Sequence, residues 1–343
     1  MLYIDGSYGE GGGQIVRTAV ALSVLSNIPI TVTNIRANRP IPGLRPQHFT
    51  AISCVKAISG ATTEGLSIGS KQLTFTPTKI SSGSYNFDVG TAGSMVLVFQ
   101  TCLLSAAHLQ EPLSITLRGG TDVRWAPSWD YFTCVFLPLL RNIGINTEVH
   151  LHKRGYYPTG GGEATLTIRP SASLRPFQVE EPQQYHQIDG IIHLANLPEH
   201  IATRMKHAVM KQAFNHNFKT SLHVDAQPSS SPGTGITLWS ASEATMVGST
   251  KLGDKGVSAE QVGLGAFSQI EQEITSGATL DRYMIDQIFP YLALAAEESV
   301  CLVRELSNHT QTNMWLVKQF FKRDFKVTQQ QRLHRIRVGK TQI

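Results

Sequence analysis

Charge is scarce in this sequence: 16% of its 343 residues are Asp, Glu, Lys or Arg, against 41% hydrophobic. That balance predicts a soluble globule, and the length predicts more than one domain. Long apolar runs are missing too. The longest candidate, residues 95–107, is broken by Gln100 and Ser105, which argues against a membrane span and a membrane partner. No N-terminal signal stands out, since residues 1–5 run straight into a polar glycine turn, so a cytoplasmic location is expected. Cysteine is rare. Cys54, Cys102, Cys134 and Cys301 lie far apart with no CxxC spacing and are expected to be buried, reduced thiols. Two nucleotide-binding motifs are also lacking. No GxxxxGK[ST] loop occurs; residues 248–255 come nearest, with Asp254 where the lysine belongs. The glycine turn near the start does not fit the GxGxxG fingerprint either. The net charge of +5 and a pI near 9.0 permit a polyanionic partner without demanding one.

What is present is a repeat. Residues 1–5 read as a strand, 6–14 as a glycine turn and 15–26 as a helix with Ile15, Ala19, Leu22 and Leu25 at helical spacing. Residues 29–36 read as a strand, 46–59 as a helix opened by Pro46 and stopped by Gly60, and 61–68 and 72–78 as two strands. The pattern recurs with strand 85–89, glycine turn 90–94, helix 95–108, strand 113–117, helix 128–142 and strands 147–152 and 163–169. Residues 170–187, rich in Pro, Gln and Glu, form a boundary. A small α/β module follows: strand 188–194, helix 199–215, strands 222–226 and 236–240, and helix 259–275. After Gly277 come a long helix 280–298, strand 300–304, a turn carrying His309, helix 312–321 and strands 325–328 and 333–338. The predicted fold is α+β, with three βαβαββ repeats forming a large domain. That domain spans 1–183 and 277–343, and a smaller α/β domain, 184–276, is inserted in it.

Three stretches carry chemistry. Glu10-Gly11-Gly12-Gly13-Gln14 joins a strand to a helix, where glycines let backbone N–H groups approach an anion and the helix N-terminus favours negative charge. A plain tight turn would use the same residues. Arg36, Arg39 and Arg45 crowd one proline-braced loop with Gln47 and His48. Such arginines suit bidentate phosphate contacts, and equally a solvated loop. Asn308-His309-Thr310-Gln311-Thr312-Asn313 sets a histidine among hydroxyl and amide residues, as a nucleophile or as a capping or surface histidine. His150 and His152 share a strand face with no third ligand nearby. Lys318, Lys322, Arg323 and Lys326 read as the exposed side of the last helix and its exit.

The motifs taken together resemble the RNA 3′-terminal phosphate cyclases. The resemblance rests on Glu10 to Gln14 with Arg17, Ile35 to Arg39, Pro42 to His48, Thr91 to Ser94 with Gln100, and Gly119 to Asp122 with Pro127, Asp130 and Tyr131. It continues through Arg154 to Pro158, Gly160 to Glu163, Lys255-Gly256, Ala259-Glu260, Tyr283, Asp286-Gln287 and His309 to Thr312. It is thinnest between about 170 and 246. It implies three βαβαββ repeats with an inserted α/β domain, and an ATP-dependent conversion of an RNA 3′-phosphate to a 2′,3′-cyclic phosphate. By resemblance His309 is the nucleophile that becomes adenylylated. Gln100, Tyr283, Met284, Ile285, Asp286 and Gln287 line the nucleotide site with Gln47, Pro127 and Asp130. Arg17, Arg36 and Arg39 meet phosphate, and Glu10 stands near a divalent cation, Mg²⁺ or Mn²⁺. ATP is the implied co-substrate and RNA with a 3′-phosphate end the implied partner. DNA ends are left open, and the oligomeric state is not legible.

The residue types suit that chemistry. A neutral imidazole, with an unperturbed pKa of about 6.5, is nucleophilic near pH 7 and forms a covalent intermediate that divides one hard step into easier ones. Ring closure needs little beyond placement of the 2′-hydroxyl. Two rivals predict no covalent nucleotide: a non-catalytic cyclase-like protein of ribosome assembly, which would lack the nucleophilic histidine, and another transferase on a similar repeat, such as an enolpyruvyl transferase.

Overall fold

A computed structural model describes residues 1–171 and 173–340. The first unit comprises β1 (Leu2–Asp5), α1 (Gly13–Ser26), β2 (Ile30–Thr33), α2 (Pro46–Ser59), β3 (Thr62–Glu64) and β4 (Leu73–Thr76). Its sheet runs β1-β2-β4-β3, with β1 and β2 parallel and the other pairs antiparallel. The second unit repeats this. β5 (Gly83–Asp88), α3 (Met95–Ser105), β6 (Leu113–Gly119), a helical segment, β7 (Thr147–Lys153) and β8 (Gly162–Ile168) give the order β5-β6-β8-β7 with the same directions. The helical segment runs from α4 (Trp129–Tyr131) through a wider π turn, Phe132–Phe136, into α5 (Leu137–Asn142). Strict alternation of buried and half-buried residues along β8 lays one face of its sheet on the core.

The small module comprises β9 (Gln187–Ala195), α6 (His200–Asn215), β10 (Lys219–Ala226), β11 (Gly233–Ala241), β12 (Met246–Leu252) and α7 (Ala259–Ser276), with strand order β10-β9-β11-β12. The third unit holds α8 (Arg282–Leu292), β13 (Ser299–Val303), α9 (Asn308–Phe320), β14 (Phe325–Gln330) and β15 (Leu333–Val338), in the order β13-β15-β14. In place of a first strand it has a single bridge from the segment before the small module. Gln178 bridges Val300 in parallel, with the Val179 N–H donating to the Val300 carbonyl at 3.1 Å. In chain order the small module lies between this bridge and α8. Apolar side chains of the three units share one core, while Tyr185, Ile192, Leu238, Phe267 and Ile274 belong to a second cluster within the small module.

Four local expectations are corrected. α8 stops at Leu292 instead of continuing to 298, two residues after Pro290, whose ring removes a helical hydrogen bond. α9 begins at Asn308 instead of 312, because the Ser307 hydroxyl caps it by accepting from the Thr310 N–H at 3.0 Å, so His309 lies in a helix's first turn. Residues 248–252, expected only as part of a near-miss phosphate loop over 248–255, belong to β12, where the Gly248 N–H donates to Asp281 Oδ2 at 2.9 Å. Arg323 is buried, donating to the Gly339 and Ala295 carbonyls, so it does not belong to an exposed basic face. No helix among the described residues is long and apolar enough to cross a membrane.

Candidate active site

α1 packs against α2, α3 and α9, and this brings the starts of α1 and α9 together. The turn before α1 is shaped for that meeting. Gly9 sits at φ 57°, and a Cβ there would lie 2.6 Å from Thr312 Oγ1 of α9. Gly13 lets His48 approach so closely that a Cβ would stand 2.0 Å from its Nε2. The tip of α1 has no side-chain cap, which leaves its N–H groups free for an anion.

At this junction His309 Nε2 lies 3.4 Å from Glu10 Oε2, and Arg39 Nη2 lies 2.9 Å from the same oxygen. All three side chains are a third to two-fifths exposed, so a ligand can reach them. Gln14 Nε2 donates to the His309 carbonyl at 3.2 Å, and Tyr8 stacks on Trp315 with ring centroids 4.0 Å apart. These contacts hold α9 against the glycine turn, one at His309 and one farther along the helix.

α8 holds α9 from behind, and Pro290 explains how. Proline has no N–H to donate to the carbonyl four residues earlier, which is that of Asp286. Asn313 of α9 takes that carbonyl with its Nδ2 at 2.7 Å. The Asp286 carboxylate accepts from the Ser307 and Thr310 hydroxyls, the latter at 2.6 Å. Burial pushes the Asp286 carboxyl up, and those two hydroxyls and His309 oppose the shift. Asp286 thus grips the first turn of α9 on either side of His309.

The other implied nucleotide residues divide. Tyr283 is exposed with Arg282 over its ring, and Gln287 accepts from Gln100 while donating to the Tyr283 carbonyl at 2.7 Å. These three share one surface on α8 and α3. Met284 and Ile285 are fully buried in the core, so their side chains offer no surface to a ligand. Gln47 reaches the second unit's glycine turn, where its Oε1 accepts from the Ser94 N–H at 3.1 Å. Pro127 is half-buried in the loop holding Trp125. Asp130 is buried on Arg154 at 2.7 Å, in a cluster with Asp122, Asp225 and His193. That cluster spans both modules, and among its members only Asp130 was expected in a site.

Among the arginines, burial and then the Arg36 charge pull the Arg17 guanidinium down to about 10. Arg36, at φ 56°, donates Nη1 to the Ile41 and Gly43 carbonyls and braces its own loop. His48 escaped the expected nucleotide set although it lies under the glycine turn. Burial and the charges of Arg17, Arg36 and Arg45 hold it far below its ordinary value. The neutral ring accepts from the Arg45 N–H through Nδ1 at 3.1 Å.

The family description RNA 3′-terminal phosphate cyclase matches residues 8–327. The RNA 3′-terminal phosphate cyclase of Pyrococcus furiosus is 40% identical over 327 residues, covering 95% of each chain. That of Nitrosospira multiformis is 41% identical over 341 residues, 98% of this chain and 96% of the relative. That of Methanosarcina mazei is 39% identical over 358 aligned positions, 99% of this chain and all of the relative. Matched by the family over residues 8–327 and about 40% identical to these relatives over nearly its whole length, the chain belongs to the RNA 3′-terminal phosphate cyclase family.

Proposed function

We propose that this protein converts the 3′-phosphate of RNA ends to a 2′,3′-cyclic phosphodiester, using ATP. His309 Nε2 attacks the α-phosphorus of ATP, and an N–P bond forms as pyrophosphate leaves. An oxygen of the RNA 3′-phosphate then attacks the adenylyl phosphorus, breaking the N–P bond and leaving an adenylylated 3′ end. The adjacent 2′-hydroxyl attacks the 3′-phosphorus, AMP departs, and the hydroxyl proton goes to solvent. DNA ends are not part of the proposal, since a 2′-deoxy end lacks the closing nucleophile.

The observation that carries this reading is the meeting of His309 and Glu10 at an uncapped helix N-terminus beside Arg39. Negative charge on the α-phosphate oxygens would be met there by backbone N–H groups and Arg39, with Arg17 and Arg36 adding positive potential. Tyr283, Gln287 and Gln100 offer the nearby surface for base and ribose. Glu10 is the one carboxylate lining the cleft with His309. It suits Mg²⁺ or Mn²⁺, ions bound by one or two carboxylates together with substrate phosphates, whose chemistry is to neutralise the departing pyrophosphate. Arg39 would hold Glu10 in place between turnovers.

The same proposal takes residues 1–183 and 277–343 as one domain and 184–276 as a second, supported by the separate apolar cluster of the small module. A cytoplasmic location is proposed on the four free thiols. The test is labelling with ATP radioactive at the α-phosphate. Wild type with Mg²⁺ should retain acid-labile, base-stable label after denaturation and should cyclise 3′-phosphate RNA. Unlabelled wild type would sink the covalent mechanism, and His309→Ala labelled at wild-type level would sink the nucleophile.

A further inference from the structure

We propose that a divalent metal ion, Zn²⁺ or Mn²⁺, binds between the large body and the small module, held by Asp122, Asp130 and His193. The nearest ligand atoms of these three side chains all lie within 4.8 Å of one another, and all three are buried. Asp122 and Asp130 belong to the second repeat, while His193 stands on β9 of the small module. This site lies apart from Glu10 and takes no part in the adenylyl-transfer proposal.

Three observations converge. The first is unmet valence. His193 Nε2 and Asp130 Oδ2 are buried with no hydrogen-bond partner among the described residues. An orphaned buried imidazole nitrogen and carboxylate oxygen are expensive unless something satisfies both. The second is orientation. Tyr156 Oη and His193 Nδ1 are 2.8 Å apart, so an Nδ1–H donating to the phenol leaves Nε2 with a free lone pair. A partner on the far ring nitrogen is how metal-binding histidines are held. Arg154 likewise takes one oxygen of each aspartate, Oδ2 of Asp122 at 3.1 Å and Oδ1 of Asp130 at 2.7 Å, leaving Asp122 Oδ1 and Asp130 Oδ2 unclaimed by the guanidinium. The Trp129 N–H also donates to Asp122 Oδ1 at 3.1 Å, which leaves that oxygen a second lone pair.

The third observation is charge and distance. Three carboxylates, Asp122, Asp130 and Asp225, surround a single guanidinium. Asp122 and Asp130 are buried and Asp225 is about a quarter exposed, so one guanidinium leaves excess negative charge in the cluster that a divalent ion would offset. His193 Nε2 and Asp122 Oδ1 are 3.6 Å apart. Two ligand atoms each about 2.1 Å from a tetrahedral ion stand about 3.4 Å apart, close to that His193–Asp122 separation. One imidazole and two carboxylates suit Zn²⁺ or Mn²⁺ better than a thiolate-seeking metal. Bound there, the ion would pin β9 to the Asp122 loop.

The experiment uses the full chain carrying Glu10→Gln, so that a cation needed for ATP chemistry is not counted and failure of the catalytic proposal leaves this test intact. The protein is stripped with a chelator, equilibrated separately with Zn²⁺ and Mn²⁺, desalted, and its metal measured by mass spectrometry. Stoichiometric retention of one ion is expected, with a thermal midpoint that falls on chelation. Tyr156→Phe, which keeps the ring and loses the orienting hydroxyl, should bind the ion about 10- to 100-fold more weakly. His193→Gln should retain none. Natively folded protein that retains neither ion overturns the proposal and leaves shared protons as the neutralising charge. Metal held equally by His193→Gln and Tyr156→Phe would lie elsewhere, and overturns it as well.

Discussion

The protein builds an arginine–carboxylate–histidine group twice, and the two behave as opposites. Glu10, Arg39 and His309 stand at an open junction, each at least a third exposed. Asp122, Arg154 and His193 are sealed between two modules, each at most 2% exposed by side chain. Water screens the first group, so its ion pair is worth only about 0–1 kcal/mol and can be exchanged for a phosphate. The second has paid its desolvation in folding, and losing one partner strands the others. The same residue types thus give a rearrangeable site in one place and a fixed joint in the other, with burial deciding between them.

The largest expected effect tests the open group. His309→Ala should reduce adenylylation by at least about 10³-fold, as loss of a covalent nucleophile does. Its unfolding free energy should stay within about 0.5 kcal/mol of wild type, as for a surface position. Labelling assays and urea unfolding on the same preparation check both. A large stability loss would mean that the open histidine is also a structural joint.

Next is the sealed group. Arg154→Met should destabilise by about 3–5 kcal/mol, because Asp122 and Asp130 would be left buried without their guanidinium. A loss near that of a surface pair, under about 1 kcal/mol by urea unfolding, would erase the contrast. Glu10→Gln returns to the open side with a smaller catalytic effect. Adenylylation should fall about 10²-fold, comparable to losing one charge-stabilising group, and the response to Mg²⁺ concentration should shift. Stability should not change measurably. An unaltered rate and metal response would leave Glu10 as a helix-start carboxylate and nothing more.

The same contrast explains what could be read without coordinates. The repeats were legible because each glycine turn, helix and strand pair follows in chain order, and the turn residues that touch α1 are local to it. His309 and Glu10 are 299 positions apart, and only family resemblance joined them. The sealed cluster left no spacing to find, since Asp122, Asp130, Arg154, His193 and Asp225 come from five separate segments in two modules: the loop before α4, α4, the turn after β7, β9 and β10. Asp130 was assigned to nucleotide by resemblance, whereas its carboxylate faces Arg154. Met284 and Ile285 were carried along by adjacency to Tyr283 and Asp286, although a helix turns neighbours toward different sides, here into the core. β12 was hidden because Gly248 breaks its apolar alternation.

A third arginine–carboxylate pair sharpens where the dividing line falls. Arg304 Nη2 meets Glu273 Oε1 at 3.0 Å, with Glu273 nearly buried and Arg304 about a quarter exposed. Glu273 Oε2 has no hydrogen-bond partner among the described residues. Burial and the Asp281 charge push the Glu273 carboxyl from its ordinary 4.5 up to about 7, outweighing Arg304. A carboxyl raised in this way holds its proton more tightly folded than unfolded. Below pH 4.5 both states are protonated and pH has no effect through this group. Between 4.5 and 7 the folded state binds the extra proton, so stability falls as pH rises, and it levels off above 7. Glu273→Gln cannot ionise, so comparing the two proteins isolates this carboxyl together with its coupling to Asp281, itself pushed up to about 6 by burial. The stability of wild type relative to Glu273→Gln should therefore drop by about 1–3 kcal/mol across that window, read from urea midpoints at several pH values. A flat difference would mean that a partly exposed arginine is enough to keep a buried carboxylate charged. The expected drop instead makes burial of both partners, as at Arg154, the condition that separates a joint from a site.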